Sequence, residues 1–307
     1  MANKNLTQFK IGPLFPMDNL VGENLIVYNN HIAVLSSAQA IIVKGTSLYK
    51  VSLPYVSVRQ AQWAEDGKQL FIDMGCVKFI GEKVNADLVF ISLIEPLEFE
   101  KDEFNIDSTA WSRNGEHVAI LLKKIDINGE QERRTKIIVY NLTLGEQVAE
   151  KIIGYASDIR IINNHLVIIS PEISIWTLNG VVIVNLPSTV SAPFNMAISA
   201  REDYFAVIDS NWNIRIIDTQ TWEVAANWEG DFRDVTITDK GLIALDLDGN
   251  LHAACISNGN LIYIGKIDLN LTASHIAHTN DCRLIIMGGG LVSVHSVDYT
   301  LKCPKRL

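Results

Sequence analysis

VRQAQWAEDGKQLFIDM (Val58–Met74) and STAWSRNGEHVAILL (Ser108–Leu122) have the same grammar. In each, an apolar run leads into a tryptophan, a few small polar residues reverse the chain, and a run rich in β-formers leads away. Asp-Gly and Asn-Gly are the dipeptides that tight reversals between antiparallel strands require, because they accept positive φ. Each stretch therefore reads as a β-hairpin.

Working outward, the same reversal recurs at Asn29-Asn30, Asp66-Gly67, Asn114-Gly115, Asn163-Asn164, Glu202-Asp203, Lys240-Gly241 and Asn280-Asp281, at intervals of about 37 to 49 residues. A second hairpin follows each first one, as in ISIWTLNGVVIVNL (Ile173–Leu186) and IRIIDTQTWEVAAN (Ile214–Asn227). No segment sustains the i, i+3, i+4, i+7 pattern of an amphipathic helix, so almost no helix is expected. An interval of this length holding two hairpins is that of a four-stranded propeller blade. One such sheet cannot bury both apolar faces alone, whereas radial stacking covers them and ring closure leaves only short edges. The fold class expected is therefore all-β, a seven-bladed β-propeller of four-stranded antiparallel blades. Residues 23–307 form the propeller and residues 1–22 an N-terminal arm. The arm either stands apart or lends Leu6–Ile11 to the last blade as its closing outer strand.

Trp63-Ala64-Glu65-Asp66-Gly67-Lys68 and Trp111-Ser112-Arg113-Asn114-Gly115-Glu116 resemble the W-S-x-D-G-x-x signature of the WD-repeat and TolB-like propeller superfamily. Ile214-Arg215-Ile216-Ile217-Asp218 is similar to the strand that ends in the Trp-Asp dipeptide, with Ile217 in place of the tryptophan. The resemblance covers the chain from about Glu23 onward. The opening Gly-His pair of many WD repeats is absent and no Trp-Asp dipeptide is intact, which implies blades held mainly by apolar packing.

Composition narrows the function classes. Apolar residues at 48% and charged residues at 20% supply an ordinary globular core. A net charge of −9 repels phosphate backbones and argues against general nucleic-acid binding. Cys76, Cys255, Cys282 and Cys303 lie far apart without a C-x-x-C pair and read as free thiols in a reducing compartment. With a polar N-terminus and no apolar run of the roughly 20 residues that span a bilayer, a cytoplasmic location without membrane insertion is expected.

Catalytic signatures are missing. There is no G-x-S-x-G elbow and no phosphate-binding loop. His275 and His278 form an H-x-x-H, but positions three apart on a strand face opposite sides, so no metal is expected there. Asp246-Leu247-Asp248-Gly249-Asn250 and Asp126-Ile127-Asn128-Gly129-Glu130 open like calcium loops yet lack the downstream Glu, and read as hairpin turns. Trp212, Trp222 and Trp228 read as packing residues before binding residues.

Repeats two and three are about ten residues longer than the others, with the excess at Gly75–Asp87 and Lys123–Lys136, between second and third strands. The resemblance implies that this junction shares a face with the blade-to-blade loops, commonly the partner-binding side. Lys78, Lys83, Lys123, Lys124, Arg133, Arg134 and Lys136 make the two stretches net basic against the global charge. The expectation is a non-catalytic protein-interaction scaffold, a subunit of a larger assembly that docks an acidic surface or peptide and needs no cofactor. Its rivals are a propeller enzyme of hydrolase or lactonase type with a site at the central channel, and a nucleic-acid or phospholipid binder using the basic rim.

Overall fold

The computed structural model describes residues 9–17, 24–28, 31–35, 39–44, 47–52, 60–63, 69–73, 78–84, 87–94, 104–124, 134–186, 195–199, 201–238, 241–257, 260–269, 273–279, 283–288 and 291–299. The regular elements among them are all strands. They fall into two compact units, one of His31–Ala192 and one of Met1–Asn30 with Pro193–Leu307.

Two strands open the chain, β1 (Phe9–Met17) and β2 (Asn24–Tyr28), both in the second of these units. The unit His31–Ala192 then begins with β3 (His31–Leu35), β4 (Gln39–Lys44) and β5 (Ser47–Ser52), paired in order. Next come the sheet of β6 (Gln60–Trp63), β7 (Gln69–Asp73), β8 (Lys78–Val84) and β9 (Asp87–Ile94), and that of β10 (Phe104–Trp111), β11 (His117–Lys124), β12 (Thr135–Asn141) and β13 (Glu146–Ile153). The unit ends with β14 (Asp158–Ile162), β15 (His165–Ile169), β16 (Ile173–Thr177) and β17 (Val182–Asn185). In the other unit β18 (Asn195–Ile198), β19 (Tyr204–Ile208), β20 (Ile214–Asp218) and β21 (Glu223–Trp228) form one sheet, and β22 (Phe232–Thr238), β23 (Gly241–Asp246), β24 (Asn250–Ser257) and β25 (Asn260–Asp268) another. Finally β26 (His275–His278), β27 (Arg283–Gly288) and β28 (Leu291–Tyr299) take β1 as their fourth strand, in the order β1-β28-β27-β26.

Among the described residues the pairings are antiparallel, and the sheets built of consecutive strands are up-and-down meanders, the pattern of a propeller, while β1 completes the last sheet from far away in sequence. Within each unit the first strands of successive sheets lie against one another, β10 on β14, and β18 on β22 on β26. The apolar clusters sit between sheets for this reason. Ala119, Leu121, Ile137 and Val139 meet Ile159, Ile161, Leu166 and Ile168, and Ile208, Ile214 and Ile216 meet Val235, Leu242 and Ala244. Each fully buried Ile, Leu or Val contributes about 1.5–3 kcal/mol, so stacking dominates stability.

The turns behave as their residues dictate. Gly115 (φ 74°), Asn163 (48°), Asn164 (59°) and Glu202 (58°) hold the positive φ of tight reversals. A further regularity repeats between third and fourth strands. The register shifts at Ile80/Gly81, Val139/Tyr140, Ile175/Trp176, Ile216/Ile217 and Ala253/Ala254. A bulge at one place in these five sheets bends and twists the outer strand, whereas β4 and β5 pair in unbroken register.

The arm's strand runs Phe9–Met17 against β28, so Phe9, Lys10 and Ile11 of the expected closing segment pair with the last sheet and the strand continues beyond them, with Phe9 opposite Tyr299 and Met17 opposite Val292. Cysteine usage departs from expectation. Cys255 is buried and disulfide-bonded, its partner outside the described residues, so the inference of free thiols fails there. No helix of the described residues is long and apolar enough to cross a membrane.

Candidate interaction surface

The strand assignment redistributes the seven cations singled out in sequence. Most of the stretch Gly75–Asp87 is β8, whose Lys78 to Glu82 pair with β7, Phe79 opposite Ile72 and Ile80 opposite Phe71. Lys78 opens that strand, at the junction with β7, whereas Lys83 stands at its far end beside the turn into β9. Lys123 and Lys124 close β11, Lys136 is the second residue of β12, and exposed Arg134 immediately precedes that strand. Arg133 lies outside the described residues. The fold thus brings Lys78, Lys123, Lys124, Arg134 and Lys136 to the junctions between second and third strands of two successive sheets, and sends Lys83 to the opposite end.

Two of these cations have partners inside their own sheet. Lys123 Nζ is 2.8 Å from the Asp107 carboxylate and 5.4 Å from the centre of the Tyr155 ring. Lys136 Nζ lies 2.6 Å from Glu150, and this hydrogen bond holds the Glu150 carboxyl below its ordinary range. Sequence reading weighed these lysines only in a net-charge balance of the two stretches and assigned them no partner. The actual partners are set by the register of β10 to β13, which brings Lys136 beside the strand that carries Glu150.

In the other unit two of the corresponding junctions, β19–β20 and β23–β24, are acidic and inwardly committed. Asp209 accepts hydrogen bonds from the backbone N–H of Asn211 (2.9 Å) and Asn213 (3.0 Å) and from Arg215 Nε (2.9 Å). Asp246 accepts from Asn250 N (2.7 Å), Asn250 Nδ2 (2.8 Å) and His252 Nε2 (2.8 Å). Burial alone would raise the Asp246 pKa, but the bonds from His252 and Asn250 prevail and lower it to about 2. Both junctions then seize the loop between sheets. Phe232 N donates to Trp212 O (2.9 Å), Leu247 N to Asp231 O (2.8 Å), and Gly230 N to Asn213 Oδ1 (3.0 Å). The residues were legible as a spacing, since Asp209-x3-Asn213-x-Arg215 and Asp246-x3-Asn250-x-His252 coincide.

The remaining candidates fall into place around these turns. Trp222 is buried. Trp228 stacks with Phe232 at 4.8 Å and meets His252 and Tyr263 edge-on at 6.2 Å, which joins β21 to the next sheet. His275 is exposed and His278 buried. The Asp234 carboxylate, 3.6 Å from His275 Nδ1, raises that imidazole's pKa, while His278 donates its backbone N–H to Thr236 Oγ1 at 3.1 Å. Among the described residues no three His, Cys, Asp or Glu side chains converge as a metal site.

Among solved structures, a chain in the crystal structure of a mitotic checkpoint complex matches with a TM-score of 0.69 over 96% of this chain and 95% of that chain, at 12% sequence identity. In all, 1607 chains match, so the likeness identifies a widely used fold and not an activity. No family model matches the sequence, and no curated protein matches it.

Proposed function

We propose that this chain is a non-catalytic, seven-bladed WD-type propeller, a scaffold subunit of a larger assembly, and that it docks an acidic protein surface or peptide. The observation that carries the reading is the gathering of Lys78, Lys123, Lys124, Arg134 and Lys136 at the same strand junction of two successive sheets. Likeness to a chain that occurs in a protein complex supports a protein partner. Arg133 precedes Arg134 in the sequence and is included in the test for that reason.

The discriminating experiment is affinity purification of the tagged full chain, comparing wild type with K124E/R133E/R134E, which leaves the Lys123–Asp107 and Lys136–Glu150 pairs intact. Loss of a stoichiometric partner on charge reversal, with no esterase or lactonase turnover by the wild type, is the expected result. Unchanged partner recovery overturns the docking surface, and turnover overturns the scaffold reading.

A further inference from the structure

Among the described residues the fourth strand of each sheet has one neighbouring strand, so one row of its backbone N–H and C=O groups turns away from the sheet. Such a row is a template for a further strand, and proteins ordinarily blunt it with charge or proline. β13 does so with exposed Glu146, Glu150 and Lys151, β21 with Glu223, and β25 with Lys266 and Asp268. In sequence β1 carries Lys10, Pro13 and Pro16, β5 carries Lys50, and β9 carries Asp87. β17 differs from all of these. It reads Val-Ile-Val-Asn, without charge or proline, and Val181, Val182 and Ile183 stand 58%, 49% and 45% exposed in an unbroken row.

We propose that β17 is a β-augmentation site that accepts an extended, uncharged segment, rich in β-branched residues, from a partner protein. The outward backbone row calls for a strand, since a helix has no spare N–H and C=O groups to offer it. Consecutive exposed apolar residues put hydrophobic surface on both faces of the edge, and the lack of charge leaves no ionic basis for recognition. Length excludes a second copy as the occupant. Four residues span roughly 13 Å, and pairing two such edges would bury a few hundred Å², far short of the roughly 1,200 Å² of a stable interface. The bulge opposite Ile175 and Trp176 adds twist to β17, which a flexible peptide follows and a rigid edge does not. This site goes beyond the basic junctions and does not depend on them.

The test uses the full chain and a fluorescein-labelled Thr-Val-Thr-Val-Thr-Val peptide read by anisotropy, beside the same peptide N-methylated at alternate residues so that one edge loses its donors. Saturable binding is expected, weakened about tenfold or more by N-methylation and by V182K/I183K, and unaltered by I262K on β25. Absence of saturable binding, tolerance of N-methylation, or equal binding by V182K/I183K overturns the proposal. Should V182K/I183K fail to fold, the N-methylated peptide against wild type decides alone.

Discussion

Between its second and third strands the sheet β14–β17 turns through Ser170-Pro171-Glu172, whereas β18–β21 and β22–β25 turn through Asp209–Asn213 and Asp246–Asn250. The Ser170 hydroxyl serves Glu172 alone, donating to its carbonyl and accepting from its N–H at 3.3 Å. The carboxylates serve several donors at once and reach into the third strand, to Arg215 and His252. A hydroxyl closes a turn upon itself; a carboxylate ties the turn to its sheet and, through the fixed backbone, to the loop that enters the next one. The sheet with the serine also contains Trp176, whose Nε1 is buried without a partner among the described residues. Polar wiring is thus concentrated in some repeats, while the apolar stacking is common to those described.

Asp209→Ala breaks the contrast most severely. Asp209 has a side chain 1% exposed and Arg215 one 16% exposed, so truncation strands a guanidinium and two N–H groups. A loss of about 3 kcal/mol is expected in urea denaturation, against under about 1 kcal/mol for Ser170→Ala. Asp246 provides the pH-dependent version. Its folded pKa of about 2 lies below the reference 3.8, so its contribution is present above about pH 4 and is lost as pH falls toward 2. After allowance for solvent screening this amounts to roughly 1–2 kcal/mol. The wild-type midpoint should drop through that window more steeply than that of Asp246→Asn in thermal scans. The smallest effect belongs to Trp176→Phe, which removes an indole N–H that has no partner, and a change within about 1 kcal/mol is expected by the same denaturation assay. A larger loss would show that the repeat depends on that group.

The alternation of hairpins was legible because Asn and Gly accept the positive φ that tight reversals need, and Gly115, Asn163 and Asn164 adopt it. Less so were the turns at Trp212 (φ 63°) and Trp222 (φ 57°), which occupy the left-handed position filled by Gly249 in one neighbouring turn and by Gly145 and Gly180 in others. A tryptophan there costs about 1–2 kcal/mol, which burial of Trp222 offsets, and composition alone would not place it. The recurrent bulge was invisible, since Ile and Val runs look alike whether or not one residue is unpaired. The partners of Lys123 and Lys136 depend on strand register across a sheet, which local sequence does not encode. For the same reason Lys78 and Lys83, close in the chain, separate to opposite ends of one strand.

The sheet shared by β1 and β28 pairs strands far apart in sequence, Phe9 standing opposite Tyr299. A ribosome makes β1 before every other described strand and β28 after them, so this sheet cannot close until the described strands between them have been made. Meanwhile Phe9–Met17 is an unoccupied strand with no mate. Long-range closure of this kind is slow and exposes the nascent chain to wrong pairings. The segment contains a lysine and two prolines, residues of the kind that blunt an unpaired strand.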